Sequence, residues 1–482
     1  MAKTFTRTLL ASAVALACFS AQAASTIIIT SRDAPGVGFN DPTPVAPVGG
    51  NPGTTLGAQR WFVYQHVAKI WEQALDSPVP ITVSAGWEPL SCTATGATLG
   101  SASSWNGWYN VPNGKPGIFY PQALANKLAG YDLSEGQPDD GTGYGNVDIK
   151  TQFNINLGNP GCLTGTPFYL GIDGNAGTAV NFVETLLHEL GHGLGFSVFT
   201  TNTANGSRLG GIPSVWEEYM YDNTAGKTWL NMTNAERVAS AINPLKLGWN
   251  GANSVAGASM LKPVAMVNVT SPVPGGSGSY DYVTATFGPT PPNSASWGTA
   301  SSYQTQDGET GPGCDAFNAA NAAAANGKVM VIPRGTCTFT VKVKNAQNAG
   351  AIGVIISNNQ AGVPGMGGTD PTVVIPAVGV TQAQGDSLRN SIANASKYGS
   401  RSKPGIVTVA FATDAVRKSG SDIAGRPLLY TPNPRVPGSS VSHWDVTATP
   451  NLLMEPSINS DLGTVLVPPK DLTVPLLKDL GW

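Results

Sequence analysis

Five consecutive residues, His188-Glu189-Leu190-Gly191-His192, carry the side chains best suited to chemistry in this chain. On a helix, residues four apart share a face, so both imidazoles can reach one metal ion. The carboxylate beside the first imidazole can then approach a water on that metal and act as a general base. The chain has only 4 His, so this spacing does not come from a histidine-rich composition. A hydrolytic zinc site needs a third protein ligand and one open position. Two residues are candidates: Glu218, in Trp216-Glu217-Glu218-Tyr219, and His443, in Ser442-His443-Trp444-Asp445. The remaining histidine, His66, falls in a helical stretch and reads as a packing or surface residue. Calcium could bind near Asp173-Gly174-Asn175, but so short a signal does not support a site.

The surroundings of the histidine pair resemble the metzincin metallopeptidases, and among them the leishmanolysin-like branch. Gly195 stands three residues after His192, where those enzymes carry a Gly that lets the chain turn sharply. Most of them place the third His three residues further on; this chain has Val198 there and so departs from the pattern. In the leishmanolysin-like branch an insertion precedes the third His, which sits in a Ser-His-Trp context ahead of a Met-turn. His443 and Met454, the latter in Leu453-Met454-Glu455-Pro456, match that arrangement. His443 lies 251 positions after His192, a gap that an inserted domain would explain.

The resemblance implies a secreted endopeptidase with one catalytic Zn2+ held by His188, His192 and His443, acting on a protein or peptide substrate. Glu189 would take a proton from the attacking water and pass it to the leaving amine, and Met454 would form a packing floor. No Tyr follows the Met-turn between Pro456 and Leu462, so the sequence supports no tyrosine role in the transition state. The implied fold is α+β: a metzincin-like zinc peptidase domain, with a twisted sheet and an active-site helix, interrupted by an α/β domain. A thermolysin-like peptidase using Glu218 would keep the chemistry and change the fold. A non-catalytic secreted binding or adhesion protein on a peptidase-like fold would need neither base nor metal, and the presence of Glu189 beside three histidines argues against it.

The elements that must position these residues can be read from periodicity. A helix should begin near Thr178 and run through Val180, Phe182, Val183, Leu186, Leu187 and Leu190 before Gly191, Gly193 and Gly195 weaken it. Ala58 to Leu75 carries a partial helical stripe, and β-like runs follow at Ile81 to Val83 and Gly117 to Tyr120. Val147 to Leu157 alternates, with Ile149, Thr151, Phe153, Ile155 and Leu157 on one face, and reads as a half-exposed strand. By the resemblance, it is the edge along which an extended substrate pairs. Pro468 to Trp482, with Leu472, Leu476, Leu477 and Leu480, reads as a closing helix.

From about Met266 the texture changes. Lys328 to Gly335 reads as a strand, Phe339 to Ala349 as a helix, and Ala351 to Ile356 as a buried strand, an order that favours a parallel pair. Ala319 to Ala325 is a low-complexity patch with helical composition. From Cys314 to about Leu388 the block resembles the protease-associated (PA) domain, through Gly-Lys-Val-x-Val-Ile-Pro-Arg-Gly-x-Cys-x-Phe from Gly327, Lys342 to Asn348, and Ala349-Gly350-Ala351. Such domains cap or flank peptidase sites and bring no catalytic residue.

Lys3 and Arg7, the apolar run Leu9 to Phe19 and Ala21-Gln22-Ala23 form a secretory signal pattern, too short to span a bilayer, which takes about 20 apolar residues. The expected organisation is a signal peptide over 1–23, catalytic domain over 24–265, inserted PA domain over 266–413 and catalytic domain again over 414–482. Cleavage discards Cys18 and leaves Cys92, Cys162, Cys314 and Cys337, an even count in an oxidising extracellular or periplasmic compartment. The two pairs fall in different expected domains, which favours Cys92 with Cys162 and Cys314 with Cys337; the latter also matches the bridge of the PA family. With 482 residues, 12% charged, the chain is long enough for a sizeable core and more than one folding unit. The 58 Gly and 37 Pro point to many turns. A net charge of -3 without a Lys/Arg cluster gives no footprint for nucleic acid, and no later stretch suits a membrane anchor; a monomer is expected.

Overall fold

The computed structural model describes residues 25–136, 147–360, 362–400, 405–459 and 461–482. The expected signal peptide and Cys18 lie outside the described residues. Among the described residues, no helix is long and apolar enough to cross a membrane. The chain forms two compact units: Leu261–Gly425, and the described residues up to Met260 together with Arg426–Trp482.

The first unit holds a four-stranded sheet made of β1 (Ile27–Ser31), β2 (Ile81–Glu88), β3 (Gly100–Ser104) and β4 (Ile149–Asn154). Its order is β1-β2-β4-β3, with β3 antiparallel to β4 and the other pairs parallel. The alternation of β4 is realised, since Ile149, Thr151 and Phe153 are buried while Lys150 and Gln152 are not fully so. Its expected place at the sheet edge is not. β4 is internal, paired on both sides, and the edge beside it is β3, whose Gly-Ser-Ala-Ser-Ser sequence carries no apolar pattern.

Two helices pack on this sheet, α1 (Leu56–Ala74) and α2 (Phe182–Gly193). Tyr64 of α1, Phe153 of β4 and Phe182 of α2 pack ring against ring, with centroids 4.9 to 6.0 Å apart. Such pairs contribute about 0.5–1.5 kcal/mol each beyond the area they bury. The Tyr64 hydroxyl bonds Thr151 Oγ1 at 2.8 Å and so ties α1 to β4.

α2 begins at Phe182 rather than near Thr178. The Asn181 side chain accepts the N–H groups of Val183 and Glu184, and this cap sets the first turn. The helix also runs through Gly191 to Gly193, where glycines were expected to weaken it. Their missing side chains admit neighbours: a Cβ on Gly191 would come within 2.8 Å of Met454 Sδ, and one on Gly193 within 2.3 Å of Ile149 Cγ2. Close packing outweighs the roughly 1 kcal/mol that each Gly costs a helix. The C-terminal helix Thr473–Leu480 is shorter than the expected closing segment. Cys92–Cys162 is the disulfide of this unit.

The second unit is an eight-stranded sheet of β5 (Pro263–Thr270), β6 (Gly278–Asp281), β7 (Val283–Thr284), β8 (Ala295–Ser302), β9 (Val329–Pro333), β10 (Gly353–Ser357), β11 (Ala377–Val380) and β12 (Thr408–Lys418). Its order is β6-β5-β12-β8-β9-β10-β11-β7. The parallel pairing of β9 with β10 is the one expected from their strand, helix, strand order. Successive residues of β9 enter two cores, Val329 and Val331 on one face with Leu388, Met330 and Ile332 on the other with Val343 and Ala346. That two-sided burial is why β9 and β10 read as unbroken apolar runs. The unit extends to Leu261 and Gly425, beyond the 266 and 413 read from composition, because β5 pairs with β12 along most of its length. Cys314–Cys337 is its disulfide.

Candidate metal centre

The first unit brings His188, His192 and His443 together, with one ring nitrogen of each within 4.8 Å of the others. Two of them come from α2, one turn apart on one face. The third comes from a segment whose backbone is pinned on both sides: Tyr430 N–H donates to the His443 carbonyl at 2.9 Å and Trp444 N–H to the Met454 carbonyl at 2.8 Å.

Each imidazole is oriented by a carbonyl. His188 Nδ1 lies 2.7 Å from the Leu453 oxygen, His192 Nδ1 2.7 Å from the Phe196 oxygen, and His443 Nδ1 2.8 Å from the Ser439 oxygen. A carbonyl only accepts, so each Nδ1 carries the proton and each Nε2 presents a lone pair. The Nε2 atoms of His188 and His443 lie 3.1 and 3.2 Å from that of His192. Three lone pairs at this separation repel one another unless a cation lies between them. Burial holds all three rings neutral, pushing His188 down to about 4, His443 down to about 3 and His192 well below the ordinary histidine value. Protonation therefore does not resolve the repulsion at neutral pH. The donor set fits zinc, whose nitrogen ligands at about 2.0–2.1 Å in tetrahedral array stand about 3.3 Å apart.

The turn after α2 supplies one of these carbonyls. Gly195 has φ of 117°, Gly195 N–H donates to His192 O at 3.1 Å, and Phe196 N–H donates to Gly191 O at 3.0 Å. This paired closure with a left-handed residue ends the helix and points the Phe196 carbonyl back at His192. Beneath the site, Met454 is fully buried with its sulfur against Gly191. The turn that holds it is fixed by two carboxylates the sequence reading missed. Asp471 accepts the Leu453 N–H at 2.6 Å, and Glu455 accepts the Leu452 N–H at 2.9 Å. Burial raises both acids, Glu455 to about 7.

Glu189 is 8% exposed, and burial pushes its carboxyl up to about 8, opposed by a hydrogen bond from the Ala102 backbone. Ala102 belongs to β3, so the carboxylate beside the histidines is tied to the sheet edge that flanks them. The cleft there measures about 830 Å³, with Ala102, Glu184, His188, Glu189, Pro456 and Ile458 among its walls. No pattern in Gly100–Ser104 could have identified this edge; only its pairing with β4 does.

The other candidate ligands lie elsewhere. Glu218 pairs with Lys115 Nζ at 2.6 Å, and His66 sits on α1. The Asp173 carboxylate is taken up by the Tyr169 hydroxyl at 2.6 Å and by Asn175. Among the described residues, the three histidines are the one converging group of His, Cys, Asp and Glu that could hold a metal.

Residues 299–388 match the PA domain family model. This stretch lies within the second unit. The chain is 42% identical over 76 residues to signal peptide peptidase-like 2 of Arabidopsis thaliana, a match covering 15% of this chain and 14% of that protein. It is 41% identical over 70 residues to aminopeptidase YwaD of Bacillus subtilis (strain 168), covering 14% and 15%. The chain thus spans about one seventh of the length of these curated relatives. Among solved structures, a zinc aminopeptidase from Bacillus subtilis is 21% identical with a TM-score of 0.20, covering 34% of this chain and 37% of that one.

Proposed function

We propose that the protein is a secreted zinc-dependent endopeptidase of metzincin type, in its leishmanolysin-like form, with the PA domain inserted between the two sequence segments of its catalytic domain. The observation that carries this reading is the set of three Nε2 lone pairs, each aimed by a carbonyl on its own Nδ1, in a cleft that Glu189 also lines. The turn at Gly195 and the Met454 floor support the metzincin assignment.

His188, His192 and His443 would hold the ion. Zinc so held supplies Lewis acidity, which polarises the scissile carbonyl and lowers the pKa of water toward about 7. Glu189 takes the water's proton on its carboxylate and delivers it to the leaving amine, a role that typically contributes about 10²- to 10⁴-fold. Burial alone would keep this carboxyl protonated; a divalent cation beside it favours the ionised form that accepts a proton. The extended edge β3 offers backbone groups along which a peptide can lie through the site, which favours cleavage within a chain over removal of a terminal residue.

The test is metal content and casein hydrolysis of the purified mature protein beside Glu189→Ala and His443→Ala. About one zinc per chain, loss of activity in Glu189→Ala with zinc retained, and loss of zinc in His443→Ala are expected. A wild type without zinc that leaves casein intact sinks the reading and turns the chain into a binding protein on a peptidase-like fold.

A further inference from the structure

We propose that the cleft selects a Lys or Arg as the residue immediately following the scissile bond, and that Glu184 is the side chain that recognises it. This rests on the endopeptidase reading above and names its substrate class.

Glu184 stands four residues before His188, so it lies on the same face of α2 one turn toward the helix start. It lines the cleft and is 9% exposed. Its backbone N–H is used by the Asn181 cap, and among the described residues no hydrogen bond or ion pair reaches its carboxylate. Burial raises its carboxyl above the ordinary glutamate value, and of the charged groups it feels Lys470 lowers it while Asp461 raises it. Lys470 is already engaged, its Nζ donating to the Asp461 carbonyl. A partly desolvated carboxylate that faces the cleft without a partner gains from a ligand that brings a cation to it. Its place in the first turn of α2 favours the ionised form. Val180, Pro456 and Ile458 give the cleft apolar walls along which the methylene stem of Lys or Arg can pack while its head reaches Glu184.

The side of the scissile bond follows from strand directions. Gly100 pairs with Phe153, which packs on Phe182 at the start of α2, while Ser104 pairs with Ile149, which meets Gly193 at its end. β3 therefore runs alongside α2 in the same direction. A substrate pairing antiparallel to this edge, the more stable arrangement, runs the opposite way. Its residues after the scissile bond then lie toward the start of α2, where Glu184 is.

Cleavage-site profiling of wild type, Glu184→Gln and Glu184→Lys on a peptide library, with zinc content and casein hydrolysis measured in parallel, tests this. Wild type is expected to cut before Lys and Arg. Glu184→Gln should lower the ratio of kcat/KM for Arg over Leu at that position by about 10- to 100-fold, the worth of a charge-assisted hydrogen bond. Glu184→Lys should turn the preference toward Asp and Glu. Cleavage after basic residues, a requirement for a free amino terminus, or an Arg-to-Leu ratio unmoved in Glu184→Gln overturns the inference while leaving zinc and casein hydrolysis in place. A wild type that cuts no casein overturns the endopeptidase reading, and this inference with it.

Discussion

Asp471→Ala asks whether the chain's hold on His188 runs through the backbone of Leu453. Asp471 is 3% exposed, and its oxygens accept the N–H groups of Leu453 at 2.6 Å and Thr473 at 2.7 Å. The Leu453 carbonyl then fixes His188 Nδ1 at 2.7 Å. Alanine leaves two buried N–H groups without an acceptor, each costing about 1–3 kcal/mol. The unfolding free energy should therefore fall by about 2–6 kcal/mol, a large share of the roughly 5–15 kcal/mol of a folded domain. With Leu453 released, His188 loses its orientation, and supporting residues of this kind change metal affinity by about 10- to 100-fold. Asp471→Asn keeps one acceptor oxygen and should lose about half as much stability. Urea denaturation of metal-free protein gives the first quantity, and competition for zinc against a chelator of known affinity gives the second. An alanine variant destabilised by under about 1 kcal/mol and binding zinc within about twofold of wild type would refute the chain of support from Asp471 to His188.

Gly191→Ala places a methyl within 2.8 Å of Met454 Sδ, so an overpacking cost of about 1–3 kcal/mol should exceed the roughly 1 kcal/mol gained in helix propensity. A lowered Tm checks it, and an unchanged or raised Tm would mean that Met454 repacks freely. Asp148 is 2% exposed, and burial raises its carboxyl to about 6 despite bonds from Thr82 and Asn126. A folded-state value above the unfolded one means that stability present below about pH 4 is lost as pH rises through about 6. Relative to wild type, Asp148→Asn should therefore gain up to about 3 kcal/mol between pH 4 and pH 7 in urea denaturation. A difference that stays flat over that range would show that the carboxyl titrates normally.

What the sequence determined by itself is local in character. The four-residue spacing of His188 and His192 specifies a shared helix face, and the alternation from Ile149 to Phe153 specifies which side of β4 is buried. The apolar runs of β9 and β10 specify strands covered on both faces. These follow from periods of two and 3.6 residues, which a short window of chain contains.

Tertiary structure decided the rest. That β3 rather than β4 is the edge depends on which strands exchange hydrogen bonds, and small polar residues carry no mark of it. Gly191 weakens a helix in isolation and becomes necessary only where Met454 approaches from more than two hundred residues away. His443 could be weighed against Glu218 through a resemblance, but its ring reaches the pair on α2 only because Tyr430, Ser439 and Met454 pin its segment there. Asp471 and Glu455 are ordinary acids in the sequence, and burial beside particular backbone groups gives them their roles. Helix and strand periods are properties of neighbouring residues, whereas desolvation and ligand convergence belong to contacts that exist only once distant segments have packed.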